Sequence, residues 1–400
     1  MDFELTSGQR MFADSVRGFA QRALAPGALE RARVDGFPWD VARQMAAAGL
    51  FGIMIPERDG GQGGTLMDAV LAIELVSLAC PRSADVMQVG NFGAIRTLAE
   101  YATNDHKKRY ISRLLSGEQI IAIAMTESEA GSAVTDLKTS ATPDGDGFRI
   151  NGGKVFTTLS TEANLFLVYV RYGPGVAGLG SVLIERGAPG FSFGKPSRFM
   201  NGDAWMPLFF DDCYVGPENV LLRAGGFKKQ ISAFNAERIG NAARALALGR
   251  YCFDAAREHA LTRRQFGRPL CEFQGIQWKF ADMQMQLDAG QLLLYRAATN
   301  ADHGLPSPRE TTIAKAYCNQ AGFDIANQAL QIMGGVGYSS DSLVEYCFRK
   351  IRGWMIAGGS LEMMRNRIAE GVFERSFSQR PPRADTRADT RADTRANTGE

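Results

Sequence analysis

The chain is short of several things that would point quickly to a function. Among its 400 residues no apolar run approaches the roughly 20 needed to cross a bilayer, so no helical membrane span is expected. The opening Met1-Asp2-Phe3-Glu4-Leu5-Thr6 has neither a basic nor an apolar leader pattern, and the expected location is cytoplasmic. Its six cysteines, at 80, 213, 252, 271, 318 and 347, include no Cys-x-x-Cys pair. They read as reduced core or surface thiols rather than zinc ligands or a disulfide frame. The three histidines, at 106, 259 and 303, stand far apart, so no His-based metal site is expected. Charge of one sign is also missing. With 45 basic and 43 acidic residues the net charge is +2, which gives no support to a nucleic-acid surface.

What is present is an ordinary globular composition, 45% hydrophobic and 22% charged, in a chain long enough for two or three subdomains. Residues 1–120 read as helical. Thr6-Ser7-Gly8-Gln9 has the form of a capping box ahead of Met11, Phe12, Val16 and Phe19. Pro38 opens a helix through Ala47. Further helices are expected at about 66–80 and 89–103, with a short one from near Asp105. Between 121 and 226 the pattern turns to strands, at Phe148-Arg149-Ile150, Leu165 to Val170 and Ser181 to Ile184. Leu208-Phe209-Phe210 is expected to end at Asp211-Asp212, and Pro217-Glu218-Asn219 to return the chain to helix. From 227 to 376 long helical periods resume, at about 227–263, 273–302, 309–334 and 341–352, with another from near Ser360. Such helices in series favour an antiparallel bundle. The remainder, 377–400, repeats Arg-Ala-Asp-Thr with almost no apolar content and is expected to be disordered.

Gly173-Pro174-Gly175-Val176-Ala177-Gly178 spells a dinucleotide fingerprint. That fingerprint has to follow a strand and open a helix, so that a phosphate meets the helix N-terminus. Here strand-like residues flank both sides, and a hairpin loop is expected instead.

The most telling stretch is 123–135. An apolar run, Ile120 to Met125, breaks into Thr126, Glu127 and Ser128, followed by Ala130-Gly131-Ser132. A small-residue turn lets backbone N–H groups converge on an anion. The residues alone read as a strand end with a polar turn, since most such turns bind nothing. The stretch resembles the flavin-binding segment of the acyl-CoA dehydrogenase family, Thr-Glu-Pro-x-Ala-Gly-Ser-Asp, with Ser128 for the proline and Ala133 for the aspartate. Other landmarks of that family follow in order over about 1–376. They are Pro56-Glu57-Arg58-Asp59-Gly60-Gly61, Lys154-Val155-Phe156-Thr157-Thr158, Arg263-Arg264-Gln265-Phe266-Gly267-Arg268-Pro269, and Gln331-Ile332-Met333-Gly334-Gly335-Val336-Gly337-Tyr338.

The resemblance implies an α+β fold: an N-terminal helical domain (1–120), a middle β-barrel or sheet domain (121–226) and a C-terminal four-helix bundle (227–376). It implies FAD as cofactor. Met125 and Thr126 fall at the flavin ring edge, Gly131 and Ser132 on the pyrophosphate, and Phe156 against the ring. Thr158 is then a donor toward N5, which is apt because N5 gains negative charge as hydride arrives. Leu159 stands where the family has asparagine. Without the resemblance, Phe156 and Thr158 read as a buried strand aromatic and a cross-strand threonine. Arg263, Phe266, Gln331 and Gly335 resemble the residues that reach a neighbouring subunit's FAD, so a homodimer or homotetramer is expected. Taken alone, Arg263 is a solvent-facing arginine near a helix end.

The implied reaction removes an α-proton from an acyl thioester and passes β-hydride to the flavin. A base must therefore touch a weakly acidic C–H. Many family members carry that glutamate in a Tyr-Glu-Gly-Thr loop. The matching Trp354-Met355-Ile356-Ala357-Gly358-Gly359-Ser360-Leu361 has no acid. Glu362 follows, on the next helix, where it suits the helix dipole. A branch that includes isovaleryl- and long-chain acyl-CoA dehydrogenases takes its base from a Glu-Arg pair on the first bundle helix. Asn235-Ala236-Glu237-Arg238 is similar, which marks Glu237. On spacing alone Glu237, sharing a face with Phe234 and Asn241, reads as a surface or salt-bridged acid. Gly358, or Ala357 if the register slips, is left to donate its N–H to the thioester carbonyl.

The expected function is FAD-dependent α,β-dehydrogenation of an acyl-CoA, with electrons passed to an electron-transfer flavoprotein. The alternatives are a dehydrogenase of acyl-carrier-protein thioesters, a flavin monooxygenase or nitroalkane oxidase on the same fold, and a flavin scaffold without activity. The Gly-Gly-Ser loop also resembles the crotonobetainyl-CoA reductase subgroup.

Overall fold

The protein is described by a computed structural model covering residues 4–301 and 304–379. Helices come first: α1 (Ser7–Phe19), α2 (Ala28–Arg33), α3 (Trp39–Ala47), α4 (Leu66–Ala79), α5 (Ser83–Asn91), α6 (Gly93–Tyr101) and α7 (Asn104–Leu115). Their starts follow local chemistry. The Thr6 hydroxyl accepts the Gln9 N–H at 3.2 Å, and the Gln9 side chain accepts the Thr6 N–H at 3.0 Å, closing the expected capping box. Thr65 and Asp68 do the same for α4, and Thr103 and His106 for α7. Helix α4 is apolar on nearly all sides and correspondingly buried.

The helix expected over 89–103 is two helices. Phe92 is extended and Gly93 takes φ +64, so the chain turns sharply between α5 and α6. Apolar residues continue across the break, and periodicity does not register a turn made by one left-handed residue.

The middle region is a mixed sheet of β1 (Ile121–Ala124), β2 (Ser140–Asp144), β3 (Gly147–Lys154), β4 (Leu165–Arg171), β5 (Leu179–Glu185), β6 (Phe191–Phe193), β9 (Leu208–Val215) and β10 (Val220–Leu222). The order is β10-β5-β4-β2-β3-β9-β6, and β1 lies parallel beside β4. A separate small ribbon pairs β7 (Ser197–Arg198) with β8 (Ala204–Trp205). Strand β4 is buried from Leu165 to Val170, as its unbroken apolar run requires of a strand covered on both faces. Residues 172–178 join antiparallel β4 and β5, so the glycine-rich decoy is a hairpin loop.

Two expectations here are corrected. Strand β9 does not stop at Asp211-Asp212 but runs on to Val215. Asp212, at φ +46, sits where the β3–β9 register shifts, and it exchanges two 2.9 Å hydrogen bonds with Asn151. The bulge keeps both acids at the surface without ending the strand. Pro217–Asn219 forms only one 3-10 turn before β10, and helix resumes at Phe227.

The last part comprises α8 (Phe227–Thr262), α9 (Gln274–Thr299), α10 (Pro308–Met333), the single turn α11 (Gly335–Tyr338), α12 (Leu343–Trp354) and α13 (Leu361–Val372). Helix α8, 36 residues and so about 54 Å long, packs on α9, α10 and α12 and also on α4, α5 and α6. It is the element that both helical regions share. Buried charges tie all three regions together. Arg82, just before α5, bonds Asp203 at 2.6 Å, and Arg244 of α8 bonds Asp85 at 2.8 Å. Lys350 of α12 bonds both acids. Burial opposes the ionisation of Asp203, but Lys350 and Arg82 outweigh it and hold its carboxyl at about 2. Among the described residues no helix is long and apolar enough to cross a membrane. The six cysteines are free, and five are buried. The repeat tail from residue 380 lies outside the described residues.

Candidate active site

Strand β1 ends at Ala124 and delivers Met125 and Thr126 to the edge of the sheet. The Thr126 carbonyl accepts the Val155 N–H at 2.9 Å, which joins this segment to the Phe156-Thr157-Thr158 stretch after β3. Beneath them Lys154 is fully buried. Its Nζ bonds the Glu127 carboxylate at 2.8 Å and the Met125 carbonyl at 3.2 Å. Burial draws the Lys154 ammonium down to about 8 against the pull of Glu127. Glu127 also accepts the Thr139 hydroxyl and N–H and the Lys138 N–H. The two flavin-type motifs are thus fastened by one buried ion pair.

Above this anchor the surface is open. Phe156 is 55% exposed and adopts φ +56, costly for an aromatic residue. Its ring lies 4.6 Å from that of Trp205, which stacks on Phe199 and bridges to Thr158. Gly131 and Ser132 are exposed, and nothing lies within 4 Å of where a Cβ on Gly131 would be. Leu159 is left-handed at φ +65, a conformation asparagine adopts more readily.

The second face belongs to α8. The Glu237 carboxylate faces the break between α5 and α6, where a Cβ on Gly93 would lie 2.8 Å from its Oε2. The same point is 3.6 Å from Ile123 Cδ1 on β1, so the base candidate and the strand that leads into Met125 both approach Gly93. Gln88 Nε2 donates to Glu237 Oε2 at 2.5 Å and to its carbonyl at 3.2 Å. Burial pushes the Glu237 carboxyl up, and Arg244, Gln88 and Lys315 oppose it only in part.

Gly358 sits beside this patch at φ +74, followed by Gly359 at φ +95. Arg238 Nε donates to the Gly358 carbonyl at 2.9 Å. At the start of the loop the Trp354 carbonyl accepts Lys315 Nζ at 3.1 Å and Asn319 Nδ2 at 2.9 Å. Burial lowers the Lys315 ammonium to about 7. The loop is therefore held through its carbonyls. Among the described residues, the N–H of Gly358 has no acceptor.

Three consecutive profiles of one family match the chain: acyl-CoA dehydrogenase N-terminal domain over 6–118, middle domain over 122–213 and C-terminal domain over 224–373. The chain belongs to the acyl-CoA dehydrogenase family. It is 34% identical to a 3-sulfinopropanoyl-CoA desulfinase of Paraburkholderia xenovorans, covering 94% of this chain and 99% of that one. The butyryl-CoA dehydrogenase structure from Megasphaera elsdenii superposes with a TM-score of 0.86 at 30% identity, over 94% of this chain and all of that one. A chain from the structure of the electron transferring flavoprotein of Acidaminococcus fermentans superposes with a TM-score of 0.88 at 31% identity, covering 93% and 99%.

FAD is the cofactor of this acyl-CoA dehydrogenase family enzyme. The residues present fit it. The exposed aromatic shelf of Phe156 offers a flat apolar surface, and the unobstructed turn at Gly131-Ser132 offers backbone donors to a diphosphate. Among the described residues the hydroxyl of Thr126 has no hydrogen-bond partner in the fold. The segments that carry Met125 and Thr126 and Phe156 and Thr158 are joined through Val155 and Lys154, with Gly131 and Ser132 exposed in the turn that follows Thr126, while Glu237 lies on α8 and Gly358 in the loop held by Glu237's neighbour Arg238. Arg263, Phe266, Gln331 and Gly335 do not join them. They sit where α8 and α10 end, all exposed, and the Phe266 ring is 94% exposed. Arg263 is 26 residues along the helix from Glu237, so about 39 Å away.

The sequence did not disclose Gln88, Gly93, Lys315, Asn319 or Trp205. Gly93 was detectable in principle as a glycine inside an apolar helical stretch. Gln88 and Asn319 carry no local signal, because their partners lie 149 and 35 positions away.

Proposed function

We propose that the enzyme oxidises an acyl-CoA between its α and β carbons, with Glu237 as the base that takes the α-proton. The observation that carries this reading is the placement of Glu237: a carboxylate made more basic by burial, beside the flavin-type strand, while the loop at Gly358 holds no acid. A desolvated carboxylate is the group able to accept a proton from a weakly acidic C–H. The free N–H of Gly358 donates to the thioester oxygen and stabilises the negative charge that develops there as the proton leaves. Lys315, Asn319 and Arg238 hold the loop so that this N–H is presented without reorganisation. FAD, when bound, supplies the acceptor for the β-hydride. Phe156 and Thr158 would line its ring, and Gly131 and Ser132 its diphosphate. Electron-transfer flavoprotein as the next acceptor is supported by the likeness to a chain of that flavoprotein's structure.

Arg263, Phe266, Gln331 and Gly335 complete a second subunit's site in this reading, so the working unit is a dimer or a tetramer. Their exposure, and the length of α8 between Arg263 and Glu237, support it.

The test is anaerobic bleaching of the bound flavin by butyryl-CoA and by branched, aromatic and long-chain thioesters, repeated with Glu237→Gln. The variant should keep FAD and bleach about a thousandfold more slowly. Bleaching at the normal rate would sink the assignment. Wild-type bleaching should rise with pH, because only the ionised carboxyl accepts a proton. Thioesters of an acyl carrier protein in the same titration distinguish a carrier-linked substrate from CoA.

A further inference from the structure

Glu237 is not held by its own helix alone. Gln88, near the end of α5, is 5% exposed and reaches across to α8. Its Nε2 donates to both the carboxylate and the carbonyl of Glu237. The opposite amide orientation would set two acceptors against each other, so the donor must face the carboxylate. Two glycines make the fit possible. A Cβ on Gly240 would fall 2.5 Å from Gln88 Oε1 and 2.7 Å from the Phe92 ring, and one on Gly93 would fall 2.8 Å from Glu237 Oε2. Each helix is notched where the other inserts a side chain. Among the described residues the buried Gln88 Oε1 has no partner, so the amide is seated at a cost that only its donor side offsets.

We infer that Gln88 is a positioning residue that fixes the orientation and proton affinity of the Glu237 carboxylate from the N-terminal helices. This rests on the reading of Glu237 as the base. A hydrogen bond donated to a carboxylate favours its ionised form, so Gln88 keeps Glu237 usable at lower pH than burial alone would allow. Other charges face the same group. Arg244 on α8 and Lys315 on α10 favour ionisation. Asp85 of α5 is paired with Arg244 and Lys350, and Arg96 of α6 is paired with Glu100. Gln88 is the neutral member of this set, so replacing it by an apolar residue changes no net charge and isolates the hydrogen bond.

The experiment uses the FAD-loaded enzyme and the variants Gln88→Leu and Gln88→Glu. The protonated-carboxyl infrared band of Glu237, assigned by its loss in Glu237→Gln, is titrated against pH without substrate. Anaerobic bleaching by butyryl-CoA, or by whichever thioester of the panel is oxidised fastest, is followed over the same range. Gln88→Leu should move the midpoint of the band upward by about one pH unit, and the acid limb of the bleaching profile should move with it. Gln88→Glu, which places a second carboxylate at contact, should move it further. Flavin absorbance unchanged from wild type shows that the site remains assembled. An unmoved infrared midpoint in Gln88→Leu overturns the inference, whatever role Glu237 has. A shifted midpoint with normal bleaching by Glu237→Gln would instead overturn Glu237 as the base and leave its coupling to Gln88 intact.

Discussion

The two faces of the site are built in opposite ways. The face proposed to receive the flavin is an open surface resting on one buried anchor: Phe156, Thr158, Gly131 and Ser132 are exposed, while Lys154 and Glu127 pair beneath them. The face proposed to receive the thioester is interlocked. Glu237, Gln88, Gly93 and Gly240 fit side chain into notch, and the carbonyls of Trp354 and Gly358 are held by three side chains. A surface that receives a large preformed cofactor needs shape and exposed donors. A surface that moves a proton needs one group fixed within a few tenths of an ångström and kept from water.

That contrast gives an ordered set of expectations. The widest gap between activity and stability belongs to Glu237→Gln, which should lose about a thousandfold in flavin reduction. Because burial raises the Glu237 carboxyl in the fold above its unfolded value, the folded state binds more protons. Its ionisation therefore costs stability as pH rises through the folded value. Thermal unfolding at neutral pH should accordingly show the variant as stable as wild type, or more so. Next comes the anchor. Lys154→Met leaves Glu127 without its buried partner and should lower urea-derived stability by about 3 kcal/mol, with loss of FAD. A double variant that also carries Glu127→Gln should recover part of the loss.

Gly358→Ala should cost about 1 kcal/mol, since φ +74 is left-handed. The new Cβ would meet Lys315 Cε only at an ordinary 3.4 Å, so any loss of rate reports displacement of the N–H rather than a clash. The smallest effect should come from Thr158→Val. Among the described residues this exposed hydroxyl serves no bond, so melting should be unchanged and FAD affinity should fall about fivefold, by direct titration.

Much of the architecture was legible because its causes are local. Thr6 and Gln9 announced the first helix, Pro38 the third, and the β-rich run at 165–170 a buried strand. The loop nature of 173–178 followed from the strands on either side. Where the reading failed, a single backbone conformation was responsible. Gly93 split an expected helix, and the bulge at Asp212 carried a strand past two acids. The site was legible in a different sense. Glu237 emerged from resemblance joined to the missing acid at 354–361, whereas nothing near Gln88 in the chain marks it as that residue's partner.

By itself the sequence determined the order of helical and strand regions, the FAD motifs, and the lack of an acid in the Gly358 loop. These are properties of residue type and short spacing. Only the tertiary structure decided which residues surround Glu237, how basic its carboxyl is, and that Arg263 stands about 39 Å from it along α8. Proton affinity depends on desolvation and on donors from other helices, and neither exists until α5, α8 and α10 are packed together.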